Sequence, residues 1–141
     1  MKLSRTVTYA LQATLLLARS ETDRPVPCSQ LAAEGNMPER FLLQILRSLV
    51  NHNILRSTRG VDGGYSLVGQ ADGISLLDII EAIDGPMSSG LPENEGFLLE
   101  SQTELQNALK QVSLTARQQL GQIKMSQLIA VPAFNPELKQ P

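Results

Sequence analysis

The side chains of this 141-residue chain that could do chemistry are mostly basic or amide-bearing, and they gather in a few short stretches. Pro38, Glu39, Arg40, Phe41 and Gln44 form one. At the start of a helix an arginine can pair with guanine, a glutamine with adenine and a glutamate with cytosine. Glu39 carries a penalty there, because a carboxylate near phosphates weakens binding unless a base donates to it, and Phe41 reads equally well as core. A second stretch, Arg59-Gly60-Val61-Asp62-Gly63-Gly64, offers a different device. Gly63 and Gly64 allow positive backbone dihedrals and carry no bulk, so a turn formed with Gly60 can approach another surface while Arg59 projects. Ser4, Arg5 and Thr6 can hold a phosphate through side chains and free backbone amides at a helix start, with a plain capping role as the alternative. Arg47 and Arg56 are phosphate contacts or ordinary solvated charges, and Tyr65 either donates to a phosphate or packs on its strand.

Nucleophilic and metal chemistry have less to work with. Cys28 and His52 are the only cysteine and histidine, so there is no disulfide framework and no set of soft ligands for zinc or an iron–sulfur cluster. No metal or other cofactor is expected. Cys28 stands beside the start of a helix, where the dipole can depress a thiol pKa and favour oxidation; a redox thiol is weighed there against a small structural cysteine, which is preferred. His52 is most simply a helix-end residue. The carboxylates are scattered, and Arg59 to Gly64 lacks the lysine and the preceding hydrophobic strand of a phosphate-cradling loop, so no enzyme is expected.

The formal net charge of −2 argues against a nucleic-acid binder only until the charges are located. Residues 1 to 60 hold eight basic against four acidic side chains, giving +4, and the remainder carries −6. A basic front and an acidic back suit one face turned to a polyanion and another turned away. The Met-Lys start lacks a signal-peptide pattern, and Thr8, Gln12 and Thr14 interrupt the first apolar stretch, so a soluble, cytoplasmic protein without membrane partners is expected.

These groups need elements to position them. Ser4 can cap a first helix to about Arg19, with Leu3, Val7, Ala10, Leu11, Leu15 and Ala18 recurring at helical spacing. Ser20 to Pro27 reads as a turn, a short helix follows around Ser29 to Glu34, and Gly35 and Asn36 stop it. Pro38, at a first helical position, opens a third helix whose stripe is Phe41, Leu42, Ile45, Leu46 and Leu49. That is a helix-turn-helix pattern, and Ile54 to Thr58 with Tyr65 to Val68 adds a two-stranded wing. Ser75 and Asp78 form a capping box for an apolar helix that stops at Gly85 and should pack beneath the wing.

Residues 1–85 thus read as a winged helix-turn-helix domain, 86–97 as a linker, 98–130 as a dimerisation helix region and 131–141 as a flexible tail. The fold class is mainly α with a small β-hairpin wing. In the long helix Leu98, Leu105, Leu109, Val112, Ala116, Leu120 and Ile123 lie close to a heptad seam. A lone amphipathic helix after a linker calls for a second subunit; packing back on the N-terminal domain is the alternative.

At Arg59 to Leu67 and Ile74 to Gly85, and again at Met1-Lys2-Leu3-Ser4, Tyr9-Ala10 and Val26-Pro27 with Leu31-Ala32, the sequence resembles the Rrf-two family of bacterial winged-helix transcription regulators. The resemblance implies a homodimer with a long crossing helix, bound to pseudo-palindromic double-stranded DNA operators, with Arg59 entering the minor groove. It also implies, for several members, an iron–sulfur cluster on three cysteines in the loop before the long helix. Residues 86 to 104 contain no Cys and no His, so the cluster is not carried over. The expectation is a homodimeric transcriptional repressor whose signal enters through the acidic half, an unknown effector or a partner protein. The alternative is a winged-helix protein-interaction adaptor that binds no DNA.

Overall fold

Short amphipathic segments bury their apolar faces only against one another. The computed structural model describes residues 1–20, 23–87, 96 and 98–129, in the order α1 (Arg5–Arg19), α2 (Cys28–Gly35), α3 (Glu39–Asn51), β1 (Leu55–Thr58), β2 (Gly64–Leu67), α4 (Leu76–Asp84), α5 (Leu99–Gln122) and α6 (Met125–Leu128). A mainly helical fold with a two-stranded antiparallel hairpin is what the patterning predicts. The expected linker (largely 88–95 and 97) and the tail from 130 lie outside the described residues.

Local signals set the helix ends. Ser4 Oγ accepts the Val7 amide at 3.2 Å and starts α1, which buries Val7, Ala10, Ala13, Thr14 and Leu17. Thr14 is buried without penalty because its hydroxyl donates to the Ala10 carbonyl at 2.7 Å. Asn36 takes a left-handed conformation, φ 51°, and ends α2, while the Met37 amide reaches back to the Ala32 carbonyl at 2.9 Å. In α3, Leu42, Ile45, Leu46 and Leu49 are buried. Two details differ from the expectation. Pro38 is the N-cap, not the first helical residue, and Phe41 leaves the stripe, 36% exposed at the helix edge with its ring edge-on to Tyr9 at 5.8 Å between centroids.

The hairpin pairs Leu55 with Leu67, Arg56 with Ser66, Ser57 with Tyr65 and Thr58 with Gly64, so each strand begins one residue away from the expected start. The positive φ values fall on Gly60 (111°) and Gly64 (151°), not on Gly63. Gly63 is needed for space: a Cβ there would meet the Thr58 carbonyl oxygen, as one at Gly64 would meet the Val26 and Pro27 backbone. The missing bulk therefore closes the hairpin on itself and on the head, and Gly60 alone of the three faces open space. Val26, expected in a plain turn, exchanges two backbone hydrogen bonds of 2.9 Å with Tyr65 and lies along the free edge of β2.

The Ser75–Asp78 capping box forms, with both bonds made at 2.9 and 3.1 Å. α4 packs on α1, α3 and α5, not beneath the wing, because the hairpin already spends its apolar side, Leu55, Tyr65 and Leu67, on the main core. The long helix stops at Gln122, short of the expected end near 130. Ile123 and Met125 instead pair with the segment before α4: the Leu76 amide donates to the Ile123 carbonyl at 2.9 Å and the Met125 amide to the Ile74 carbonyl at 2.8 Å. Met125 sinks into the main core, and the Arg19 guanidinium donates to the Leu128 carbonyl at 3.2 Å.

Candidate nucleic-acid interface

The core stripe of α3 dictates what its other side presents. With Leu42, Ile45, Leu46 and Leu49 turned inward, Arg40, Gln44 and Arg47 follow one another at steps of four and three along the exposed side, with Pro38, Glu39 and Phe41 exposed at its first turn. A fixed turn sets the angle between α2 and α3, since Met37 is buried between them and Asn36 holds its left-handed conformation. α3 is therefore carried by packing on its inner side while its polar side chains stay free.

The wing supplies the second part. The Gly63 amide donates to the Gly60 carbonyl at 3.0 Å, closing a four-residue turn with Val61 and Asp62 at its apex. Arg59, Gly60 and Val61 are all exposed, Val61 completely. The third part is the start of α1, where Arg5 is exposed. Ser4 does cap its helix, so its oxygen is engaged, while the Arg5 and Thr6 amides lie in the first turn, which has no intrahelical acceptors for them.

Tyr65 lies elsewhere. It belongs to the hairpin's inner side, packed on the core between the start of α2 and α3. Burial pushes its phenol up, the neighbouring Cys28 adds to that, and Arg47 pulls it back down. Tyr65 thus braces wing against helix. Cys28 begins α2, and its thiol donates to the Glu39 carbonyl at 3.7 Å. Burial, then the Glu39 carboxylate, raise the thiol pKa and favour the neutral thiol, which goes with the structural cysteine preferred from sequence over a redox thiol. His52 bonds the Ser48 carbonyl at 2.8 Å through Nδ1, as a helix-end residue.

The Rrf2 profile, described as that of an iron-dependent transcriptional regulator, matches residues 3–131. The chain belongs to the Rrf2 family. CymR, an HTH-type transcriptional regulator of Bacillus subtilis, is 32% identical over 114 residues, 79% of this chain and 83% of CymR. A Mycobacterium tuberculosis protein assigned as an HTH-type transcriptional regulator is 37% identical over 89 residues; that match covers 63% of this chain and only 55% of the relative. The solved structure of B. subtilis CymR, the global cysteine regulator of that organism, matches with a TM-score of 0.75 at 24% identity, over 94% of this chain and 98% of the other, which speaks to the fold.

The iron of the Rrf2 description does not fit the donors present. The whole sequence holds one thiol and one imidazole. The thiol sits beside the first turn of α3 on the Glu39 carbonyl and the imidazole caps the far end of that helix, about 20 Å away by helix rise. Among the described residues no three His, Cys, Asp or Glu side chains come together as a metal site. A cluster held by cysteines has no seat on this Rrf2 chain.

Sequence reasoning missed two neighbours of this interface in the Rrf2 head. Tyr9 supports Phe41 edge-to-face, and Val26 anchors the wing through backbone alone. The first was open to detection, since Tyr9, one of only two tyrosines in the chain, is the one aromatic residue of α1. The second leaves no mark in side-chain pattern.

Proposed function

We propose that the chain is a homodimeric, sequence-specific DNA-binding repressor that seats α3 in the major groove and the wing in the adjacent minor groove of each half of a pseudo-palindromic operator. The observation that carries this reading is the exposed row Arg40, Gln44 and Arg47 on a helix whose opposite side is core, together with an exposed Arg59 next to an open glycine in the wing turn. Arg and Gln at the start of such a helix read base edges; Arg47, Arg5 and the first amides of α1 neutralise phosphate; Arg59 enters the negative potential of a narrow minor groove. Phe41 can meet a thymine methyl, with Tyr9 behind it.

The second subunit is supported by α5 and its N-cap Leu98, which expose Leu98, Leu105, Leu109 and Val112 on one line that continues into the half-covered Ala116. Leu120 and Ile123 complete that line but are occupied within the chain, Leu120 against Val7 and Ile80. We take the organisation as a head to about residue 85, a linker to 97 and a dimerising helix, after which Met125 returns to the head's core. An effector or partner protein, in place of a cluster of its own, would supply the signal. No helix among the described residues is long and apolar enough to cross a membrane, in keeping with a cytoplasmic regulator.

Selection of bound duplexes from random sequence, followed by titration at several salt concentrations, tests the proposal. Enrichment of an inverted repeat and an affinity that falls steeply with salt are expected; a shallow salt response or no enriched sequence would overturn it.

A further inference from the structure

Unused charge also gathers beside the wing, away from α3. α1 ends at Arg19, the chain crosses to the Val26–Tyr65 bridge, and between them and β2 lies a hollow of about 320 Å³. Leu17, Val26 and Leu67 give a mostly polar lining its apolar part. Asp23 and Arg24 from the crossing segment and Arg56 from β1 edge it, with Ser66 directly opposite Arg56 in the ladder. Among the described residues the only ion pair is Arg117–Glu81, so these three charges, brought to one place by different elements, have no salt-bridge partner there.

Two guanidinium forks that form no ion pair among the described residues, one carboxylate and one hydroxyl around a small apolar floor define a ligand chemistry. We propose that this hollow binds a small organic molecule with two acidic groups and one ammonium group, the size and charge of an acidic amino acid. Its acidic groups pair with Arg24 and Arg56, the Ser66 hydroxyl donates to one of them, its ammonium meets Asp23, and its methylenes rest on Leu17, Val26 and Leu67. The volume lies at the small end of the range for small-molecule sites. One wall is the wing and the others belong to the head, so an occupant bridges the two and favours one angle of the hairpin over others. That coupling to DNA rests on the regulator reading above; the binding itself does not.

The probe is L-glutamate, titrated to millimolar concentration into the ¹⁵N-labelled full chain, against sodium chloride of equal ionic strength. Saturable shifts of the Ser66, Leu67 and Val26 amides, fitting one dissociation constant, are expected, weakened by about tenfold or more in Arg24→Ala and in Arg56→Gln. Shifts that chloride reproduces, shifts insensitive to both substitutions, or none at all would overturn the site. Glutarate, which lacks the ammonium, should bind more weakly than glutamate, and equal affinity would remove Asp23 from the proposal. Glutamate should then change operator affinity in the parent protein and not in Arg24→Ala. An unchanged affinity would overturn the coupling, whereas a protein that never binds DNA would sink the regulator reading and leave the ligand titration standing.

Discussion

The head and the long helix both leave large side chains in water, and the contrast lies in what those side chains are. On the head the exposed groups beside the core are Arg40, Gln44, Arg47 and Arg59, which solvate well alone and whose attraction to a polyanion acts at a distance. On α5 and its N-cap they are Leu98, Leu99, Leu105, Leu109, Val112 and Leu114, half of them more than 60% exposed, which gain nothing from water and act only on contact. The head, its core completed by Met125 from beyond α5, is finished as a folded unit and incomplete only as a binding surface. α5 carries an unpartnered apolar line: its last turns are covered by the head through Leu120, while Leu105, Leu109 and Val112 upstream stay exposed. Exposure alone does not distinguish a binding site from a missing core; the chemistry of the exposed groups does.

The sharpest way to break that contrast is to make the α5 line polar. Leu105→Glu with Leu109→Glu should convert the proposed dimer to monomers in sedimentation. Operator affinity should then fall by about 10²–10⁴-fold as the two half-sites lose their linkage. The circular-dichroism signal of the head should persist. A dimer that survives both changes would mean that the line is not the interface.

Leu46 provides the matching change on the other side of the comparison. It is fully buried in the head, so Leu46→Ala should cost about 2–5 kcal/mol in urea unfolding. Leu105→Ala, measured at concentrations where the chain is monomeric, should cost little, because half of Leu105 is already in water. Equal costs would show that α5 packs on its own head in solution.

The same division explains what was legible in the sequence. The Ser4 cap, the Ser75–Asp78 box and the α3 stripe each depend on residues within one or two helical turns, so spacing alone encodes them. The bridges Val26–Tyr65 and Ser75–Lys124 join distant backbone, which carries no side-chain signature, and the second of them ends α5 where its periodicity would have continued. Which wing glycine turns and which merely makes room is likewise a matter of neighbours: Gly63 and Gly64 are crowded, Gly60 is not. At Cys28 the helix-start position was readable, but the burial and the Glu39 charge that raise its pKa come from the docking of α3. In the candidate interface, residue types were readable from sequence, while Tyr65 needed the fold to show that it braces the wing from behind.

A smaller effect is expected at the wing tip, where Arg59 acts by charge on an otherwise complete fold. Arg59→Ala should leave the melting temperature unchanged and weaken operator binding by about 1–3 kcal/mol, with the salt slope reduced by about one. Loss of affinity without a change in slope would mean that the residue shapes the turn and does not meet DNA.

The smallest expected effect lies at the joint between the two regions. Glu81 on α4 accepts from Arg117 of α5 through Oε1 at 2.9 Å and from the Met87 amide, where the chain leaves the head, through Oε2 at 2.9 Å. Both partners are donors, so Glu81→Gln, which keeps the shape but offers one acceptor and one donor, must lose one of the two contacts. Arg117 is 42% exposed, which limits what the ion pair contributes, and a stability loss below about 1 kcal/mol is expected. Hydrogen exchange should quicken at Met87 or along residues 113–122, while dimerisation and operator affinity stay within about twofold, a few tenths of a kcal/mol. A tenfold loss of operator affinity would show that this carboxylate transmits the pose of α5 to the wing, and head and stalk would then have to be treated as one unit.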